Sequence, residues 1–233
     1  MTRPQIKVNI SAALVRRGLP TATGTAFLVY AGATGPTAPI RCLSAQDALD
    51  EAVPTGVAPW VGDCLELGAP EVIVVRAAAV DAAAVTQAEW GTALATLTEE
   101  FGPGQVFIPG VTTAAAHAAL LAHSNTTSRC VLLDLPATAA ASAAVTTGAG
   151  LAAATGADNA GLFAGWITLP GPAGITRNTP ASVAAAGLVA RGDTVTGHAN
   201  HAPAGDQGRG AGVVPEGRDV TKAYTDDEVD DLY

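Results

Sequence analysis

An α/β domain, with a largely parallel or mixed sheet covered by helices and a detached N-terminal strand or arm, is the fold that this 233-residue sequence predicts. Three observations lead there. Short apolar runs such as Glu71–Ala77 (EVIVVRA) and Cys130–Leu135 (CVLLDL) alternate with helical patterns, at the spacing of roughly 10–15 residues that marks βαβ units. The runs are continuously apolar, as strands buried on both faces must be. An alternating segment, Ile6–Ile10, is separated from them by Arg16-Arg17-Gly18-Leu19-Pro20, a loop rich in turn residues.

The elements follow in order. Ile6, Val8 and Ile10 alternate with Lys7 and Asn9, the period of a strand with one apolar face. Ala26–Ala31 is a buried strand ended by Gly32-Ala33-Thr34-Gly35-Pro36. Ser44 caps a helix through Asp47, with Ala48, Leu49 and Ala52 on one face and Pro54 as its stop. A second helix over Pro59–Leu67 ends at Gly68, and the β-branched strand 71–77 follows. Thr86–Phe101 reads as a helix with Trp90, Leu94 and Leu97 inward, then Gly104–Pro109 as a strand and Thr113–His123 as a helix. After the strand at Cys130 come an alanine-rich helix beyond Pro136, a strand across Phe163–Leu169 and a helix over Pro180–Arg191. The stretch Gly197–Gly217 has no apolar period and reads as a loop. Thr225 and Glu228 then form a capping box, and Val229, Leu232 and Tyr233 begin an apolar helical stripe. A helix that short is marginal by itself, so the natural chain is expected to continue past Tyr233.

Composition narrows the function. The chain is 48% hydrophobic but only 4% aromatic and 14% charged, so its core is built from small aliphatics. Net charge is -9, from 21 acidic and 12 basic residues, and no basic run offers the clustered cations that nucleic-acid binding requires. Met1–Gln5 lacks a signal-peptide pattern and no apolar run reaches the ~18–20 residues of a membrane span, which reads as a soluble, unexported chain. Cys42, Cys64 and Cys130 are dispersed, form no C-x-x-C and read as structural thiols in a reducing cytoplasm.

Sites of chemistry are sparse. There is no GxxxxGK[ST] and no GxSxG, and Gly208-Arg209-Gly210-Ala211-Gly212 neither follows a strand nor opens a helix. His117 and His123 are six apart, on different helical faces, and His198 and His201 lie in a Gly/Pro-rich loop, so no metal site is expected. The acidic run Asp226–Asp231 lacks the spacing and central glycine of a calcium loop and suits a helix N-terminus. Asp134 sits at a strand end, where α/β enzymes place catalytic carboxylates, but no His, Lys or Ser stands near it in sequence as a partner.

Several segments, in order, resemble the contractile tail sheath proteins of myophages. Gly24–Val29, Gly35-Pro36, Ser44–Asp47, Gly68-Ala69-Pro70 and Val74-Val75-Arg76 are similar to that family's opening. Thr179–Asp193 is similar to its helix of small residues, and His201-Ala202-Pro203-Ala204-Gly205 to its Ala-Pro-Ala-Asn turn, with Gly205 departing from Asn. Thr225–Tyr233 resembles the acidic helix before a Gly-Ile-Asn stretch that is absent here. The resemblance implies a structural, non-enzymatic subunit without cofactor or metal that polymerises around an inner tube and contracts to drive injection. It implies other sheath subunits, the tube and the baseplate as partners, no direct contact with nucleic acid or membrane, and a place in the virion tail after assembly in the host cytoplasm. Residues 1–20 would be an arm, with Ile6, Lys7, Val8, Asn9 and Ile10 as the strand donated to a neighbour. Residues 21–196 would be the sheath α/β domain, and 197–233 a linker and the start of a truncated C-terminal region. The rival expectation is an α/β enzyme or small-molecule-binding domain with its site at strand ends near Gly35, Asp134 and Asp193; a pocket of convergent polar groups with strongly shifted carboxylates would favour this rival, and a solvent-facing Asp134 without partners would favour the sheath.

Overall fold

Strands β1 (Thr25–Tyr30), β2 (Ile40–Cys42), β3 (Val72–Arg76), β4 (Gly104–Phe107), β5 (Cys130–Asp134) and β6 (Ala160–Phe163) form a six-stranded sheet in the order β2-β3-β1-β4-β5-β6. The structure, a computed structural model, describes residues 24–78, 81–127, 129–170, 175–196, 219, 220 and 225. The segments read from sequence at Ile6–Ile10, Gly197–Gly217 and 226–233 lie outside these residues.

Every residue of β1 is buried, as a central strand covered on both faces requires. It runs parallel to β3 and β4, with Phe27 level with Ile73 on one side and Val106 on the other. Strands β5 and β6 extend the parallel set, and β2 pairs antiparallel with β3 at the far edge. The sheet is therefore mixed, and its strand order reverses about β1.

Alternate side chains of the strands feed two separate cores. Ala26, Leu28, Val72 and Val74 point to one face, under α1 (Ala45–Asp50) and α2 (Ala58–Glu66). Phe27, Val29, Ile73, Val75, Val106 and Val131 point to the other, under α3 (Gln87–Ala95) and α4 (Ala114–Thr126). Helix α5 (Ala141–Ala152) follows β5, and the long α6 (Ala181–Thr196) returns to the first face. The helix starts are set locally: Ser44 Oγ accepts from Asp47 N–H, Thr86 and Glu89 form a reciprocal capping box, and Thr113 caps α4. Small residues then let the helices approach closely. A Cβ at Gly187 of α6 would stand 2.8 Å from the Cys64 carbonyl oxygen of α2, inside any real contact.

The sequence-based strand Phe163–Leu169 is two strands in two sheets. Strand β6 ends at Phe163, and β7 (Ile167–Pro170) pairs antiparallel with β8 (Thr176–Thr179) and β9 (Asp219–Val220) in a separate three-stranded sheet. The break falls at buried Gly165, whose φ of +76° bends the chain as other residues rarely can. Strand β9 arises within the stretch read from sequence as linker, and β2 and β8 were too short to show a period. Thr86–Phe101 is also divided, since α3 ends at Ala95 and a separate 3-10 turn spans Glu99–Phe101.

Arg129 joins that turn to the sheet. Its guanidinium donates to the carbonyls of Leu97, Thr98 and Gly102 and stacks 4.1 Å from the centre of the Phe27 ring. His123 on α4 is buried, and its Nε2 finds no partner among the described residues. Burial, and then the charge of Arg129, push its pKa down to about 4. Its folded pKa is below the unfolded value of about 6.5, so the stability tied to the neutral ring is complete above pH ~6.5 and lost as pH falls through ~4. Urea unfolding at pH 7 and pH 4.5 should show wild type losing about 2–3 kcal/mol more than His123→Leu; equal losses in the two proteins would remove His123 as the cause.

Candidate functional site

In open α/β sheets ligands sit beyond the carboxyl ends of the strands, where strand order reverses. Here that edge carries Tyr30 at the end of β1, Phe107 at the end of β4 and Asp134 at the end of β5. Asp134 is 1% exposed. It is not solvent-facing and not without partners, so the expectation drawn from sequence is corrected on both counts. Its Oδ1 accepts from Ser182 N–H at 2.9 Å, and its Oδ2 accepts from Ser182 Oγ at 2.6 Å and from Gly110 N–H at 2.9 Å.

The reason lies in α6. The residue before Ala181 is Pro180, which has no side-chain oxygen to cap the helix. Asp134 supplies the missing acceptor from a neighbouring strand and binds the orphan amide of Ser182. Burial raises the Asp134 pKa, opposed by the bonds from Ser182 and Gly110. His117 sits beside the same strand end, with Nε2 3.1 Å from the Asp134 carbonyl, and Trp166 Nε1 donates to the Leu135 carbonyl at 3.2 Å. Protein donors thus engage both oxygens of the Asp134 carboxylate, while Thr112 and His117 beside it line a groove between α4 and α5.

The other two positions of the rival site do not converge on Asp134. Asp193 is buried at the opposite end of α6, where Gln105 Nε2 of β4 donates to it at 2.8 Å. Eleven helical residues from Ser182 to Asp193 amount to roughly 16 Å at 1.5 Å per residue. Gly35 belongs to the loop after β1, closed by Tyr30 Oη donating to the Thr34 carbonyl and by Arg76 donating to those of Gly32 and Ala33. Among the described residues no group of His, Cys, Asp and Glu is placed to hold a metal ion. Cys42 and Cys64 are buried and Cys130 half-buried; burial, with Asp47 and Glu51 close by, pushes the Cys42 thiol up to about 12.

A second polar cluster was not legible in sequence. Asp63 of α2, 1% exposed, pairs with the Arg177 guanidinium and accepts from Thr179 Oγ1 at 2.9 Å. The partners are 114 and 116 positions apart, so no local spacing announces them. The cluster pins β8, and with it the three-stranded sheet, to the α2 side of the main sheet.

No protein-family model matches this chain, and no curated protein matches it. Among solved structures it is similar to the helical sheath of the anti-feeding prophage in its contracted state, with a TM-score of 0.51 and 15% sequence identity over 83% of this chain. The chain spans 53% of the length of that sheath protein. At this identity the likeness establishes a sheath-like α/β fold.

If Asp134 caps α6 rather than reacting with a substrate, its loss is a loss of stability. Asp134→Ala should lower the unfolding free energy by about 2–4 kcal/mol, because the buried donors of Ser182, and the half-buried Gly110 amide with them, lose their acceptor. Denaturant titration measures this; a variant as stable as wild type would return Asp134 to the candidates for chemistry.

Proposed function

We propose that this chain is a structural subunit of a contractile tail sheath, which polymerises around an inner tube and shortens by rigid-body repacking of its subunits. The observation that carries the reading is the likeness of its fold to a helical sheath in the contracted state. Asp134 is not the solvent-facing, unpartnered carboxylate that would favour this reading, so it lends the sheath no support; its bonds to Ser182 and Gly110 are those of a helix cap. The partners are other copies of the chain, the tube and the baseplate, and the place of action is the tail of a virion or of a related injection device.

The arm belongs to this proposal. Ile6, Lys7, Val8, Asn9 and Ile10 alternate, and the stretch 16–20 gives them reach, so they suit a strand added to the sheet of a neighbouring subunit. Main-chain hydrogen bonds would supply the affinity, and Ile6, Val8 and Ile10 an apolar face to cover.

Electron microscopy of the natural protein should show tubes or sleeves; particles that never exceed single subunits at any concentration would sink the sheath reading. Val8→Pro should weaken or abolish those tubes by deleting a ladder hydrogen bond, with less than ~1 kcal/mol change in the stability of the single chain. A loss above ~2 kcal/mol in the unassembled chain would instead place the strand in its own core.

A further inference from the structure

A chain of net charge -9 repels its own copies, so surfaces that meet across a copy-to-copy contact are favoured where charge is lacking. The sequence has such regions. No Asp, Glu, Lys or Arg occurs between Glu100 and Arg129, and Asp158 is the one charged residue between Asp134 and Arg177. The fold gathers the first region and half of the second into one surface feature. A groove of about 800 Å³ runs between α4 and α5, lined among others by Ala118, Leu121 and Ala122 on one side and Thr147, Gly150 and Leu151 on the other.

The rest of the second region holds an exposed apolar side chain. Ile175, just before β8, is 70% exposed, the most exposed large hydrophobic of the described residues. Two residues on, Arg177 is tied to Asp63 of α2, and Pro170 lies against α2 in the same cleft as Leu67. Ile175 is therefore on the side of the sheet covered by α2 and α6, whereas α4 covers the opposite face.

We propose that Ile175 of one copy seats in the α4/α5 groove of the next, as the head-to-tail contact that joins subunits. The inference rests on the sheath reading and names a contact within it. The pairing removes the exposed isoleucine from water without burying a charge. Because knob and groove lie on opposite faces, each copy that uses its groove still presents its knob. Such a heterologous contact does not end at a two-fold dimer: it gives a ring where the rotation closes and an open helical filament where it does not, and a sleeve can be built from either.

Two single variants of the full chain test it. Ile175→Glu blocks the knob, and Ala122→Glu puts a carboxylate on the exposed lip of the groove; both sites are exposed, and circular dichroism confirms that each variant folds. In sedimentation velocity each variant alone should self-associate at least tenfold more weakly than wild type. With Val8→Pro added to both variants to remove the donated strand as a second link, an equal mixture should form 1:1 dimers and stop, because the remaining intact knob and intact groove can join only once. Variants that assemble like wild type, or a mixture that stays monomeric, overturn this contact while leaving the sheath reading in place. A wild-type chain that remains monomeric at every concentration overturns both.

Discussion

Asp134 accepts three hydrogen bonds where water does not reach it, and through them fixes three parts of the chain at once. Its own strand β5 is one, the turn at Gly110 leading into α4 is the second, and the start of α6 is the third. Loss of a single buried acceptor leaves donors that no solvent can satisfy, so the junction tolerates little displacement. At the far end of α6 the Gln105–Asp193 bond repeats the arrangement against β4. The helix is thereby located at both ends across the sheet, and its alanines settle against β1, β4 and α2 as a consequence.

That placement is possible because the side chains between the layers are small. Ala184, Ala186 and Ala190 are almost fully buried, and Gly187 brings α6 near enough to α2 for a Cβ to meet the Cys64 carbonyl. A core of this kind gains less from each residue than one rich in aromatics, since burial energy scales with apolar area. It gains in closeness, because thin interfaces keep dispersion contacts short and leave few voids. The large buried side chains divide between the faces: Phe27, Trp90 and Ile108 lie under α3 and α4, and Leu28, Tyr30 and Phe107 lie in the core of the other face.

Much of the fold was legible because its signals are local. The continuous apolar runs of β1 and β3, the cap at Ser44, and the inward Trp90 and Leu94 all lie within a few positions of the element they define. What was not legible depends on partners far along the chain. Ser182, the partner of Asp134, is 48 residues away, and nothing near Asp63 hints at Arg177. The apolar stretch through Phe163 and Leu169 reads as one strand because alternation is blind to the sheet a strand joins, and only the backbone at Gly165 separates the two. Strands β2, β8 and β9 span two to four residues, too few for any period to emerge.

The same bonds that engage Asp134 shift attention to the outside of the molecule. A doubly wound sheet commonly keeps that edge open and binds a ligand there, with the first helix N-terminus free to meet an anion. Here the N-terminal amide of α6 is already committed to Asp134, and the indole of Trp166 is bonded to the next carbonyl, so this edge is part of the core. A carboxylate used in this way contributes stiffness to the domain. In the sheath proposed above, stiffness would let a subunit move as one body, since a domain that yields internally absorbs the displacement it should transmit. The three-stranded sheet follows the same logic: Asp63, itself buried, holds Arg177 and Thr179 of β8, so the side of the molecule carrying Ile175 is fixed in direction relative to the main sheet. Asp134 and Asp63, two buried carboxylates, are thus both engaged in holding elements of the fold together.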